Sequence, residues 1–161
     1  MSDPLSYLPV TVADAPRLAA LEERIFEGDA WPAADFQTFL ANPHVVGLIA
    51  RDAQGQDVGY ALCHHVHDEA ELLSIGLVPT MRGRGQGRAL LARLLADLAA
   101  RGVRHLFLEV RRSNAAAIAL YTAAGALPLG VRKGYYDPSP DHPQREDALT
   151  FRLPVGGASQ D

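Results

Sequence analysis

A single cysteine in 161 residues, Cys63, rules out an internal disulfide and a thiolate zinc site built by this chain alone. Long apolar runs are missing as well, and none reaches the ~20 residues that a membrane-spanning helix needs. Residues 1–10 have no basic stretch leading into an apolar one, so no secretory or transit segment is expected, and the expected location is the cytoplasm, away from membranes. There is no internal repeat and no low-complexity tract. Positive charge is in deficit: 15 Lys and Arg against 19 Asp and Glu leave a net charge of −4. Direct nucleic-acid binding is therefore not expected, because it depends on neutralising phosphates with basic residues. The balance suits a cationic partner, although bulk charge governs encounter rather than chemistry.

What is present is the composition of a globular domain, 48% hydrophobic and 21% charged. The length suits one domain, expected over 1–153, followed by a small, polar, disordered tail over 154–161. Thr11 and Asp14 resemble a helix start, and Leu18, Leu21, Ile25 and Phe26 form an apolar stripe that ends near Gly28. A second, short helix opens at Trp31-Pro32, carries Phe36, Phe39 and Leu40, and stops before Asn42-Pro43. The period then changes to two. Residues 45–51 and 58–66 read as a hairpin around 52–56, and 71–78 as a further strand after an acidic turn at 67–69. Leucines at 90, 91, 94, 95 and 98 stripe a helix over 87–101 that Gly102 closes. Residues 103–110 read as a buried strand, Asn114 caps a helix running to about 124, and 127–132 and 148–153 are the last strands. The expected fold is a mixed α/β (α+β) arrangement, a mostly antiparallel sheet of six to seven strands with about four helices.

Chemistry concentrates in the turn before the leucine helix. Gly83, Gly85 and Gly87 alternate where unpaired N–H groups and the positive end of a helix dipole favour an anion, and Arg82, Arg84 and Arg88 add charge suited to a diphosphate. A nucleoside-triphosphate P-loop is rejected, because Gly87-Arg88-Ala89 stands where Gly-Lys-Ser/Thr is required. A dinucleotide fingerprint G-x-G-x-x-G fits poorly, since the third glycine counted from Gly83 falls one residue early. It stays open on the residues alone, because Glu109 ends the next strand about where such folds place a ribose-binding acid. A plain solvated turn also stays open.

The pattern Arg82-x-x-Gly85-x-Gly87 resembles the Gln/Arg-x-x-Gly-x-Gly/Ala coenzyme A motif of the GCN5-related N-acetyltransferases. Leu108-Glu109-Val110-Arg111, Ser113-Asn114-Ala115-Ala116-Ala117-Ile118, Leu120-Tyr121, Tyr135-Tyr136 and Arg145-Glu146-Asp147-Ala148 are similar to its RimI-type branch, the ribosomal-protein-alanine N-acetyltransferases. The similarity is dense over 71–153 and loose before it. It implies acetyl-CoA as cosubstrate, no metal, and direct transfer to the N-terminal alanine of a basic ribosomal-protein peptide, the eighteenth of the small subunit. A monomer or weak dimer is expected. By resemblance Glu109 is the general base, Tyr121 the proton donor to the departing thiolate, and Asn114 a cofactor contact as well as a helix cap. The turn residues Arg82, Gly83, Arg84, Gly85, Gln86, Gly87 and Arg88 hold the pyrophosphate, and Ile75, Gly76 and Leu77 offer backbone groups to the pantetheine arm. Tyr135, Tyr136 and Asp137 belong to the acceptor groove. The branch more often carries Asn-Ile-Ala-Val-Asp-Pro where this chain has Ser74-Ile75-Gly76-Leu77-Val78-Pro79, so Gly76 is expected to add room.

Each assignment has a plainer counterpart. Glu109 is expected near an apolar edge suited to a base, and its plainer counterpart is a strand-end acid pairing with Arg104 or Arg111; Tyr121 is also a core tyrosine; Trp31 is a lid or, preferably, core. Cys63 reads as a small core residue without a paired base. His65 and His67 share a strand face, but no further ligand accompanies them. Other acceptors, lysines or small amines, and a non-catalytic acyl-CoA sensor are the competing functions.

Overall fold

The computed structural model describes residues 4–26, 30–140 and 142–156. Seven strands form one mixed sheet in the order β1-β2-β3-β4-β5-β7-β6, accompanied by four α-helices. The chain divides into two compact units, Met1–His65 with Leu73–Leu94, and Val66–Leu72 with Leu95–Asp161.

In the first unit, β1 (Ser6–Pro9) pairs antiparallel with β2 (Val45–Arg51), and β2 with β3 (Asp57–Val66). The hairpin turn is set by Asp52, whose carboxylate accepts the Gln54 and Gln56 N–H groups, both at 2.9 Å. Helix α1 (Ala15–Ile25) buries Leu18, Leu21 and Ile25 at the helical spacing read from the sequence. Each such side chain contributes about 1.5–3 kcal/mol when fully buried. Thr11 and Asp14 do start a helical segment: the Thr11 N–H donates to Asp14 Oδ2 at 2.7 Å, closing a single 3₁₀ turn before α1. Arg17 fastens α1 to the start of β3 through two bonds to Asp57, at 2.5 and 2.6 Å. Helix α1 ends at Ile25, and the stop expected at Gly28 lies outside the described residues. Helix α2 (Ala33–Ala41) buries Phe36 and Leu40.

Strand β4 (Glu69–Leu77) and helix α3 (Gln86–Ala100) run through both units. Leu90, Leu91, Leu94 and Leu98 are all at most 1% exposed, which fits the leucine stripe, and Gly102 (φ 84°) closes the helix in the left-handed region.

The second unit is built on β5 (His105–Arg111), which pairs in parallel with β4 from Glu69↔His105 to Glu71↔Phe107 and antiparallel with β7 (Glu146–Pro154). Along β5 burial alternates strictly, with Leu106, Leu108 and Val110 inward. Helix α4 (Ala115–Ala123) starts at Asn114, whose Oδ1 accepts the Ala117 N–H at 3.1 Å. Strand β6 (Leu127–Tyr136) is four residues longer than its expected end and takes Tyr135 and Tyr136 out of the expected loop. The expected tail begins inside β7, which includes Pro154; Val155 is 1% exposed, and 157–161 lie outside the described residues.

Candidate active site

The anion turn belongs to the first unit. Gly83 (φ 74°) and Gly85 (φ 77°) both sit in the left-handed region, yet a Cβ at either would meet nothing within 4 Å. Backbone conformation, rather than crowding within the chain, therefore demands glycine there, and the space in front of the turn stays open for a ligand. Helix α3 begins at Gln86, so its unpaired N–H groups follow directly. Arg84 and Arg88 are exposed beside them. Arg82 is different. Its Nε donates to the Leu77 carbonyl at 3.1 Å and its Nη2 to the Ile25 carbonyl at 2.9 Å.

The same region corrects the expectation for Gly76. A Cβ at that position would lie 2.6 Å from Ile25 Cγ2 and 3.0 Å from Phe26 Cζ. The missing methyl leaves no extra room, because the end of α1 already fills it. Nearby, the Glu22 carboxylate, 2% exposed, accepts the Tyr60 hydroxyl and the Trp31 N–H, the latter at 3.0 Å. Tyr60 also bonds Ser74 Oγ at 2.9 Å. Burial pushes the Glu22 carboxyl above its ordinary range, and burial followed by the bond to Glu22 pushes the Tyr60 phenol upward. The sequence did carry a signal for Glu22, since it interrupts the stripe of 18, 21 and 25 on the buried face of α1. Trp31, half-buried, packs on Phe36 and Phe39 with ring centroids 5.7 and 5.1 Å apart, in keeping with the core reading.

The acid–aromatic cluster belongs to the second unit. Glu109 projects from the opposite face of β5 to Leu108 and Val110. Its Oε1 pairs with Arg132 Nε on β6 at 3.0 Å, with the Glu109 side chain 29% exposed. Arg111, one of its expected partners, pairs instead with Glu146 at 3.4 Å. The charge of Glu109, then a hydrogen bond to it, pushes the Tyr135 phenol upward, while the Arg132 charge opposes them. Burial raises Tyr136 and the Glu109 charge adds to it. The two phenol rings meet edge to face at 5.1 Å, and Arg111 lies over the Tyr136 ring at 4.3 Å. Glu109, Tyr135 and Tyr136 are thus brought together. Asp137 is exposed and pairs with Arg145 at 2.9 Å.

Two acids in the Arg145-Glu146-Asp147 segment act as braces. Glu146 accepts the Ser113 N–H at 2.6 Å, and Asp147 accepts the Gly134 N–H at 2.9 Å and pairs with Arg112 at 3.3 Å. Bonds to Ser113 and Gly134 respectively hold both carboxyls below their ordinary values. They fix the connection that leads from β5 to the Asn114 cap. Tyr121 is 5% exposed on α4.

The rival chemistries lose ground. Cys63 is fully buried and its thiol is pushed up to about 12, so it stays protonated and is a poor nucleophile. His67 (φ 56°) lies in the turn beyond β3, and no group of three or more metal-ligating side chains occurs among the described residues. No helix among them is long and apolar enough to cross a membrane.

The profile of the Acetyltransferase (GNAT) family matches residues 15–126. The N-alpha-acetyltransferase RimI of Mycobacterium tuberculosis is 42% identical over 163 residues, covering 98% of each chain. The [ribosomal protein bS18]-alanine N-acetyltransferase of Escherichia coli K12 is 39% identical over 143 residues, 88% of this chain and 92% of the other. The crystal structure of the ribosomal-protein-S18-alanine N-acetyltransferase from Escherichia coli superposes with a TM-score of 0.86 at 34% identity, over 98% of both chains.

Proposed function

Because the chain belongs to the GNAT acetyltransferase family and uses acetyl-CoA, we propose that it acetylates the N-terminal α-amine of a basic, alanine-starting ribosomal-protein peptide, with Glu109 as general base. The observation that carries the reading is the Glu109 cluster: a carboxylate kept partly open to water on β5, between an arginine and two phenols. An α-amine, with a pKa near 8, gives up its proton far more readily than a lysine near 10.4, so a carboxylate acting through water suffices.

In this reading Gly83, Arg84, Gly85, Gln86, Gly87 and Arg88 hold the diphosphate through backbone N–H groups and charge, with the left-handed glycines setting the turn. Ile75 and Gly76 direct backbone groups to the pantetheine arm. Asn114 supports the cofactor from the start of α4. The amine lone pair attacks the thioester carbon, a C–N bond forms and the C–S bond breaks. The amine proton passes to Glu109, and the departing thiolate takes its proton from Tyr121. Tyr135, Tyr136 and Asp137 receive the acceptor, their phenols and carboxylate suiting a cationic terminus. Residues 1–153 make up a single cytoplasmic catalytic domain that works as a monomer or weak dimer, without direct nucleic-acid contact.

The test is acetyl-CoA with a panel of N-terminal peptides, read by mass spectrometry. Acetyl on the α-amine of the alanine-starting basic peptide is expected. Acetyl on lysine side chains alone, or coenzyme A binding with no thiol release from any peptide, overturns the reading.

A further inference from the structure

The described residues on either side of 27–29, between α1 and α2, are held by charged side chains that the proposed chemistry does not use. On one side, Arg82 binds the last carbonyl of α1, that of Ile25, at 2.9 Å. On the other, the Trp31 N–H is held by buried Glu22 at 3.0 Å. Arg82 spans more than this one contact, because its Nε also holds the Leu77 carbonyl at the end of β4, at 3.1 Å. Nε–H and Nη2–H lie along one edge of a guanidinium, the edge that ordinarily grips a carboxylate or phosphate side-on. Here that edge clamps two carbonyls in fixed relation. The Ile25 carbonyl lies at the negative end of a helix, where a cation is favoured and where carbonyls lack intrahelical partners.

A second contact makes the clamp stiff. Ile25 and Phe26 press on the β4 backbone where Gly76 has no Cβ, at distances that would be 2.6 and 3.0 Å from one. The end of α1 is therefore docked both to the strand and to the first residue of the turn. A displacement of that residue either moves the end of α1 or breaks two charge-assisted hydrogen bonds.

We propose that Arg82 is a positioning residue rather than a phosphate ligand: it ties the turn to the end of α1, so that filling the turn with the coenzyme A diphosphate is transmitted to α1 and, through Glu22, to Trp31. The inference rests on the reading of the turn as a diphosphate site. Trp31 is the only tryptophan of the chain, so its emission reports on its contact with α1 without a label.

The experiment titrates coenzyme A into the full chain, following Trp31 emission and binding heat in parallel. In the unmodified protein a saturable emission change is expected at the calorimetric Kd. Arg82→Lys keeps the charge but cannot span both carbonyls. It is expected to keep the Kd for coenzyme A within about threefold, lose the emission change, and raise the acceptor KM about tenfold while kcat holds. Arg84→Ala is expected to do the reverse, weakening binding while keeping the emission change at saturation. Should Arg82→Lys fail to fold, Arg82→Gln, with one neutral donor group, carries the same test. A full emission change in the Arg82 variant at saturating coenzyme A overturns the proposal, and so does flat emission in the unmodified protein despite binding heat. Absence of binding heat in the unmodified protein removes the reading of the turn itself, and the inference with it.

Discussion

Two carboxylates, one in each unit, sit in opposite surroundings. In the first, the Glu22 carboxylate is 2% exposed, Tyr60 is 0% exposed, and burial raises both. In the second, Glu109 and Arg132 meet with side chains 29% and 60% exposed. A buried polar group keeps one geometry because leaving it unpaired costs about 1–3 kcal/mol. A half-open carboxylate beside phenols stays in contact with water. Under the proposed function the difference separates holding from reacting: Glu22 and Tyr60 fix the backbone beside the turn, and Glu109 takes part in proton transfer.

The largest effect that would break this separation is expected at Glu109. Glu109→Gln keeps the shape and removes the proposed base, so turnover with the alanine-starting peptide should fall about 10²–10⁴-fold. Calorimetric binding of coenzyme A should be unchanged, because the turn belongs to the other unit. Tyr121→Phe should lower kcat similarly if the thiolate takes its proton there. A Glu109→Gln enzyme that turns over normally but no longer binds coenzyme A would return this glutamate to the role of cofactor ligand.

Gly76→Ala comes next, and it acts on holding alone. Its Cβ would strike Ile25 at 2.6 Å, and overpacking of this kind typically costs about 1–3 kcal/mol. Gly85→Ala meets nothing within 4 Å and should be destabilising only through its left-handed φ of 77°. Denaturant midpoints of the two variants separate crowding from backbone strain. An equal loss in both would mean that the end of α1 yields freely at Gly76.

These cases also show what the sequence could carry. The turn and the leucine helix were legible because their signals are local: alternating glycines, then leucines three and four apart. Strand β1 was missed because four residues ending in Pro9 have too short a period to read, and its pairing with β2 fixes it only in the fold. The partner of Glu109 was missed for a related reason. Arg132 is on β6, two strands away through β7, and β6 carries register shifts at Pro128/Gly130 and Arg132/Tyr136 that no spacing rule supplies. The crowding at Gly76 depends on where α1 docks, which is likewise a tertiary fact.

Smaller effects are expected from acid. Arg17 holds Asp57 below the ordinary carboxylate range by its hydrogen bonds, then by its charge, with Arg51 and Arg24 adding to it. A depressed carboxylate stabilises the fold above its unfolded pKa, near 3.9, and that contribution is lost as pH falls through the folded value. Glu22 is shifted the other way by burial, so its contribution is present below its unfolded pKa and lost as pH rises through the folded one. Asp57→Asn should therefore flatten the acid limb of a stability–pH profile, and Glu22→Gln should flatten the part above it. An acid limb that stays steep in Asp57→Asn would place acid sensitivity elsewhere.

Arg132→Ala should have the smallest effect on stability and sharpens the contrast most directly. An ion pair this exposed is worth about 0–1 kcal/mol, so the denaturant midpoint should hardly move. The local electrostatics should move, and in a known direction. Glu109 raises the Tyr135 phenol and Arg132 opposes it, so removing the arginine should push Tyr135 higher still, while Glu109→Gln should bring it down. Tyrosinate absorbance followed against pH, with Tyr135→Phe to assign the titration, separates the two. If Arg132→Ala lowers stability by several kcal/mol and leaves Tyr135 unmoved, the pair is a structural tie like Arg17–Asp57, and the second unit holds its charges as the first does.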